Sequence, residues 1–345
     1  MEKKLYVIIL AIAVLLGIYA CSAQRPETSS VESNLKQINK GIAQFSELKN
    51  GTLEVDGSLI AQNNAVESIN TANEENTSLT TFVLNQKGYD YIEEKNSLNE
   101  KTGEIQYSAA KQVQGTPYYA LPVEPSAKER TKPYEWEGIS ELSRKLYEPN
   151  GALKMMAVPA KLVGNEEYIK AITKEKNGSL IKYTLTTNDA YAKYMKEDAH
   201  SAEENYIVHE QREIYWINEE GLLIKRQSYG EFEWTIDGIA DIYTFDTTVE
   251  LTGYNYKKLT EIGDELSPMI MFKGELYTQS PALLDVNLEA LIKIGTIESI
   301  VGSVQEPEQN NQANRYIKNA TVYGGGKNGI IVRYNDYTLY EKSHY

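Results

Sequence analysis

The spacing of hydrophobic residues changes along the chain, and each change indicates a different kind of structure. An almost unbroken apolar run covers residues 5–20. Residues 33–48 then carry apolar side chains at intervals of three and four, which predicts one amphipathic helix with a face to bury. The stripe consists of Leu35, Ile38, Ile42, Phe45 and Leu48. Ser29 and Glu32 have capping-box spacing at the helix start, and Asn50-Gly51 supplies a stop signal beyond its end.

After this helix the period falls to two, which is typical of half-buried strands. Residues 52–61 predict a hairpin that turns at Asp56-Gly57, and a second hairpin is predicted to turn at 86–88. A strand is expected around 105–109, followed by a long surface loop that contains several prolines. Residues 138–147 repeat the helical spacing and predict a second helix.

The strand pattern returns in the second half of the chain. Strands are predicted around 181–185, at 214–216, from Leu223 onward, at 232–236 and over 243–251. A short helix capped by Asn188 is predicted between two of them. Because the connections are short and turn-like, we expect an antiparallel sheet, and its apolar face needs the amphipathic helices as cover. The predicted fold class is α+β: a curved antiparallel half-barrel sheet covered by helices, plus a small C-terminal α+β domain.

The last 80 or so residues form a separate unit in this interpretation. Residues 269–277 predict a strand, a Lys-Gly turn and a second strand, and a helix is predicted to begin at Ser280-Pro281 and to include residues 284–291. Residues 295–301 predict a further strand. A closing hairpin turns at Asn335-Asp336. Its predicted pairs are Tyr334 with Tyr337 and Val332 with Leu339.

The opening segment has the features of a secretory signal peptide. Lys3 and Lys4 precede an apolar run of about 16 residues, which is shorter than the roughly 20 that cross a bilayer as a helix. The alternative is an uncleaved membrane anchor. The run ends at Cys21, which is the only cysteine of the chain and so has no disulfide partner within it.

The sequence Ile18-Tyr19-Ala20-Cys21 resembles the bacterial lipobox. This resemblance implies that residues 1–20 are removed and that Cys21 carries fatty acyl chains such as palmitate. Two acyl chains would give stable anchoring where a single chain is marginal. The polar residues 21–32 then predict a flexible tether that holds the folded part at the extracellular face of the cell membrane.

Composition narrows the possible partners. Of the 345 residues, 41% are hydrophobic and 24% are charged, which is ordinary for a globular protein. The net charge of −14 argues against binding to nucleic acid or directly to anionic lipid headgroups. The 26 tyrosines favour strands, and two interpretations stay open for them: a sugar- or peptide-binding surface, or half-exposed positions on a twisted sheet.

Residues 33–264 resemble the LolA/LppX class of bacterial envelope lipoproteins. The resemblance rests on the helix followed by residues 51–55, on the hairpins, and on the late strands 213–251 that end in residues 251–255. It implies a half-barrel sheet that wraps helices and holds an acyl chain or a lipid.

Residues 265–345 are similar to a small module found at the ends of Gram-positive secreted proteins. The matching segments are 269–277, 295–299, Glu306-Pro307, 311–314 and the closing hairpin. This similarity implies an extracellular Gram-positive setting and no particular activity.

Candidate catalytic and metal-binding motifs are weak. His200 and His209 lie near Glu203, Glu204 and Glu210, but their spacing fits no compact metal-ligand set, and a solvated acidic loop explains them. The glycine-rich stretch 323–329 lacks the Ser or Thr and the helix of a phosphate loop, so we interpret it as a hairpin loop. The sequence therefore predicts no cofactor and no metal site.

Three hypotheses for function follow. The first is a non-enzymatic envelope lipoprotein that binds an acyl chain, a lipid or a lipidated partner. The second is a sensor or interaction module that binds an envelope protein or a cell-wall polymer. The third is an enzyme with an unrecognised carboxylate site. A deep apolar cavity between the 33–48 helix and the sheet would favour the first. A filled core with an exposed Tyr/Trp strip would favour the second, and converging buried acids in a cleft would favour the third.

Overall fold

Helix α1 (Val31–Ser46) carries the predicted apolar stripe, and its residues Ile38 and Phe45 are completely buried. In this computed structural model the N-cap is Ser30, whose side chain accepts a hydrogen bond of 3.2 Å from the Ser33 backbone N–H, so the prediction of Ser29 as the cap is wrong. Asn50-Gly51 does not stop the helix. Both residues belong to the next strand, where they pair with Val83 and Phe82.

The residues whose structure is described are 30–61, 74–86, 88–99, 104–122, 134–138, 151–198, 206–236, 239–263, 265–280, 290–315, 317–325, 329–334 and 337–343. Besides two short 3₁₀-helices (Lys161–Gly164 and Glu166–Tyr168), two further α-helices occur in these ranges. They are α2 (Gly151–Ala157) and α3 (Asp189–Asp198). As predicted, Asn188 caps α3, because its Oδ1 accepts from the backbone N–H groups of Ala190 and Tyr191 at 3.0 and 3.3 Å. The predicted helices over 138–147 and 284–291 fall largely outside the described residues.

The first sheet contains eleven described strands, all paired antiparallel, in the order β6-β5-β4-β3-β2-β1-β11-β10-β9-β8-β7. They are β1 (Asn50–Ala61), β2 (Glu74–Asn85), β3 (Gly88–Asn99), β4 (Glu104–Val113), β5 (Thr116–Pro122), β6 (Tyr134–Gly138), β7 (Ile169–Asn177), β8 (Leu180–Thr187), β9 (Tyr206–Asn218), β10 (Leu223–Ile236) and β11 (Ile239–Tyr254). The protein is therefore mostly β with few helices, and the antiparallel prediction is confirmed.

Two local predictions in this sheet are wrong. Asp56-Gly57 is not a turn, because β1 continues through it and pairs with β2 on one side and β11 on the other. Two ladders of backbone hydrogen bonds outweigh a local turn preference. The expected long loop after residue 109 is in part β5 and β6, and the chain reverses between β4 and β5 at Gln114-Gly115, where both φ values are positive.

The second sheet contains eight described strands in the order β14-β17-β18-β19-β13-β12-β16-β15. They are β12 (Met269–Phe272), β13 (Glu275–Gln279), β14 (Lys293–Thr296), β15 (Ser299–Ile300), β16 (Gln312–Ala313), β17 (Thr321–Gly324), β18 (Gly329–Arg333) and β19 (Tyr337–Lys342). The predicted strand over 295–301 is thus two short strands. The closing hairpin is shifted by one residue from the prediction, because Arg333 pairs with Tyr337 and Ile331 with Leu339.

One core fills the space between α1 and the first sheet. Side chains from β1, β2, β3 and from β7 to β11 belong to a single buried cluster with α1 and α2, which requires the sheet to curve around the helices as a half-barrel. The rings of Phe45 and Phe82 lie 5.7 Å apart in this cluster.

The second sheet packs on the opposite, outer face of β1, β2 and β3. Leu79 of β2 is buried in the core of the second sheet. A Cβ placed on Gly302 would lie 1.9 Å from Thr81 Oγ1, which shows how closely the two parts approach. Lys318 also forms an ion pair with Glu54 of β1, with Nζ 2.6 Å from Oε2. These three strands are therefore covered on both faces around Glu54, Leu79 and Thr81.

Candidate functional site

The concave face of the half-barrel has a cavity of about 480 Å³. It lies further along β1 than the part of the strand that α1 covers. Strands β1, β2, β3 and β11 form its floor, and α2 lies over it. We call this cavity the trough. Its apolar lining includes Val55, Leu59, Met155, Phe245 and Val249.

The alternation of the strands explains why these residues line the trough. Val55 and Leu59 share the concave face with Leu53, since side chains two apart on a strand point the same way. Their neighbours on β11 are Val249 and Phe245. Gly57, between them on the same face, contributes no side chain and leaves the floor deep.

An aromatic group forms the floor near the end of the trough. A Cβ on Gly230 would lie 2.2 Å from the ring of Phe245, so this ring lies directly over the glycine. Phe245 is 6.3 Å from Phe232, and Phe232 stacks on Tyr243 with 5.4 Å between the ring centres. These rings extend the apolar surface beyond the lining residues of β1.

One side of the trough is polar. Ser78, Glu93 and Lys95 line it, and Ser78 Oγ lies 3.5 Å from Glu93 Oε1. An apolar wall with a polar edge suits a ligand that has an apolar body and a polar end.

A buried ion pair holds α2 over the trough. Arg226 Nε donates to Glu213 Oε2 at 2.9 Å, and both residues are less than 7% exposed. Ser228 Oγ donates to the other carboxylate oxygen at 2.7 Å. The Arg226 guanidinium also donates to the backbone carbonyl oxygens of Met155 and Val158, at the C-terminal end of α2. Burial raises the pKa of the adjacent Tyr215 hydroxyl, and the Glu213 carboxylate raises it further. This hydroxyl therefore stays protonated.

The space between α1 and the sheet, where the sequence left both a cavity and a packed core open, is filled core. The trough lies beside this core and under α2 instead. The signal for it was present in the period-two pattern of β1, but strand residues that line a cavity have the same composition as strand residues that line a core.

The residues singled out in the sequence do not meet in the trough. Cys21 and His200 lie outside the described residues. His209 lies on β9, and its Nε2 is 3.6 Å from Glu233 Oε2. Within the described ranges no group of three or more His, Cys, Asp or Glu side chains could hold a metal ion, and Glu213 pairs with Arg226. No described helix has both the length and the apolar character needed to span a membrane.

These features define a class: a mostly-β protein whose half-barrel sheet wraps a helix-filled core and leaves an apolar trough. No family model and no curated protein sequence matches the chain. Among solved structures it is distantly similar to LprF from Mycobacterium bovis, with a TM-score of 0.34 and 9% identity over 66% of this chain and 96% of that chain.

It is also distantly similar to the LolA superfamily protein NE2245 from Nitrosomonas europaea, with a TM-score of 0.22 and 12% identity over 65% of this chain and 96% of that chain. Similarities this distant concern only the arrangement of strands and helices. Ligand and activity therefore have to be argued from the residues of the protein itself.

Proposed function

We propose that the protein is a non-enzymatic, membrane-anchored lipoprotein of the cell envelope that binds an apolar ligand in the trough. The ligand is an acyl chain, a lipid or a lipidated partner. The observation that carries this proposal is the cavity of about 480 Å³ with its apolar lining. Apolar surface in contact with water is unfavourable by about 25 cal/mol per Å², so covering these side chains with an acyl chain would be favourable.

The anchor is the acylated Cys21, which would hold residues 33–264 and 265–345 outside the cell as two domains. The lipobox resemblance supports the anchor, and the net charge of −14 supports a body that does not itself adhere to anionic headgroups. A membrane-bound carrier of this kind would meet its apolar ligand at the membrane surface.

The second hypothesis, an interaction module with an exposed aromatic strip, has less support. Trp216 and Tyr229 lie on the outer face of the first sheet. Each ring has a cation against it: Lys225 Nζ is 5.4 Å from the Trp216 ring centre, and the Arg212 guanidinium is 4.4 Å from that of Tyr229. A cation therefore lies against one face of each ring, which leaves less of the ring for a partner.

The test is native mass spectrometry of the full chain, purified in detergent, to detect co-purified lipid. Leu59→Trp should place a bulky ring across the trough and abolish co-purification of the apolar ligand. Ile60→Trp is the matched control, because Ile60 is the next residue on the same strand, points to the other face and is 48% exposed. It should retain the ligand.

Added labelled palmitate provides an independent readout, and it should bind to the wild type and to Ile60→Trp alone. Absence of lipid from the wild type together with no palmitate binding would refute the proposal. Equal binding by the two tryptophan variants would place the ligand elsewhere.

A further inference from the structure

A second cleft, of about 610 Å³, lies at the opposite end of β1 from the trough. Three segments form it: the C-terminal end of α1, the turn at 218–222 between β9 and β10, and residues 254–256 at the end of β11. The proposed function makes no use of this cleft.

One wall of the cleft is fixed by Asn50, which is 6% exposed. Its side-chain nitrogen donates to the backbone carbonyl oxygens of Tyr256 and Leu259 at 3.0 and 2.7 Å. Its side-chain oxygen accepts from the backbone N–H of Tyr256 at 2.7 Å. One buried amide thus makes three hydrogen bonds that hold the chain after β11 in place.

The facing wall is fixed in a similar way. Asn218 Oδ1 accepts from the backbone N–H of Leu222 at 2.9 Å, and the Asn218 carbonyl accepts from the N–H of Gly221 at 2.9 Å. Gly221 has a φ of +88°, which favours glycine, and a Cβ there would lie 3.0 Å from Gln44 Oε1. The turn is therefore pinned against α1, and the cleft is formed before any ligand binds.

Five side chains on the rim have no polar partner among the described residues. Glu47, Lys49 and Glu220 are exposed, and so is the ring of Tyr254. Within the described ranges, none of these four side chains nor that of Asn255 makes a hydrogen bond or ion pair with another residue. On the outer face of the sheet, by contrast, Lys225 pairs with Glu250 at 3.1 Å.

The donors and acceptors on the rim indicate the ligand chemistry. The carboxylates of Glu47 and Glu220 accept hydrogen bonds, and Lys49 and Asn255 donate them. A hydroxyl group can do both, so a ligand rich in hydroxyls matches this mixture. The ring of Tyr254 offers an apolar face beside a polar edge, which suits the C–H face of a sugar ring.

The charge of the rim disfavours anionic ligands. The two carboxylates outnumber Lys49, and the C-terminal end of α1 adds the negative end of a helix dipole. An anionic ligand would therefore be repelled. We propose that this cleft is a binding site for an uncharged saccharide.

The test is calorimetric titration of the full chain with the tetramer of N-acetylglucosamine and, separately, with the tetramer of glucose. The detergent must have a polyoxyethylene headgroup, since a sugar headgroup would compete. Saturable binding of at least one tetramer is expected, with no binding of an anionic tetramer of galacturonate. Tyr254→Ala should weaken binding about tenfold, which is about the effect of losing one well-placed contact.

Tyr334→Ala is the matched control, because Tyr334 is 46% exposed and directly follows β18 of the second sheet. It should bind like the wild type. Glu220→Ala alters an exposed turn residue and should also weaken binding, so the test does not depend on one variant.

Failure of both neutral tetramers to bind would overturn the inference, and so would unchanged affinity in both Tyr254→Ala and Glu220→Ala. Equal binding of the galacturonate tetramer would overturn the assignment to an uncharged ligand. These results are independent of the trough, because Tyr254→Ala should leave lipid co-purification unchanged.

Discussion

The two ends of the concave face are lined by the same two strands, yet one is core and the other is trough. Under α1, Leu53 of β1 and its partner Leu251 of β11 are 0% and 5% exposed. Further along the same strands, Leu59 and its partner Phe245 are only half-buried, because α1 does not reach them. The position of the covering helix, rather than the chemistry of the strands, decides which apolar residues stabilise the fold and which can bind a ligand.

The largest expected difference between the two ends comes from truncating one side chain in each. Phe45→Ala removes a completely buried ring from the core and should lower the free energy of unfolding by about 3–5 kcal/mol. Leu59→Ala removes a half-exposed side chain from the trough and should cost about 1 kcal/mol or less. Urea titration of both variants measures the contrast, and equal losses would mean that the trough is part of the core.

The boundary between core and trough depends on α2, and the next prediction breaks its anchor. Arg226→Met leaves the Glu213 carboxylate buried without its partner and should lower the free energy of unfolding by about 3 kcal/mol. The double variant Arg226→Met with Glu213→Leu removes both charges and should recover most of this loss. A double variant no more stable than Arg226→Met alone would show that the hydrogen bonds to α2, and not the unpaired charge, dominate.

The sequence predicted the parts of the fold that depend on local patterning. The stripe of α1, the hairpin at 86–88 and the Asn188 cap all follow from side-chain spacing and capping chemistry within a few residues. The prediction of a turn at Asp56-Gly57 failed because β1 is a central strand. Asp56 pairs not only with Thr77 of β2 but also with Thr248 of β11, which lies 192 residues further along the chain.

The trough and the second cleft could not be predicted for the same physical reason. The trough requires Leu59 and Phe245 to be neighbours while α2 covers only part of them. The cleft requires the end of α1 to meet the turn at 218–222. Both arrangements depend on contacts between distant segments, and neither leaves a local pattern that differs from ordinary strand or loop residues.

A third prediction probes the packing of the trough floor. Gly230→Ala places a Cβ where the Phe245 ring now lies, at a separation of 2.2 Å, so the ring has to move. Overpacking of this kind should cost about 1–3 kcal/mol in the free energy of unfolding. The displaced ring should also change palmitate binding, which Gly263→Ala should leave unchanged because a Cβ at Gly263 meets no atom within 4 Å. A Gly230→Ala variant with wild-type stability and binding would mean that the ring is free to turn away.

The smallest effect concerns the other face of the same sheet. Glu94 lies on the outer side of β3, where the Ser303 backbone N–H donates to its Oε2 at 3.2 Å. Burial raises the pKa of Glu94, and the attraction of Arg315 offsets this only in part. Because its pKa is higher in the folded than in the unfolded state, this carboxyl favours the fold when it is protonated, and that contribution is lost as the pH rises through the folded pKa.

Glu94→Gln keeps an acceptor for Ser303 without the charge. Its stability relative to the wild type should therefore be greater at pH 7 than at pH 4, as measured by urea titration at both values. An unchanged difference would show that the contact between β3 and the 301–305 segment opens enough to hydrate the carboxylate, and the outer cover would then resemble the trough more than the core.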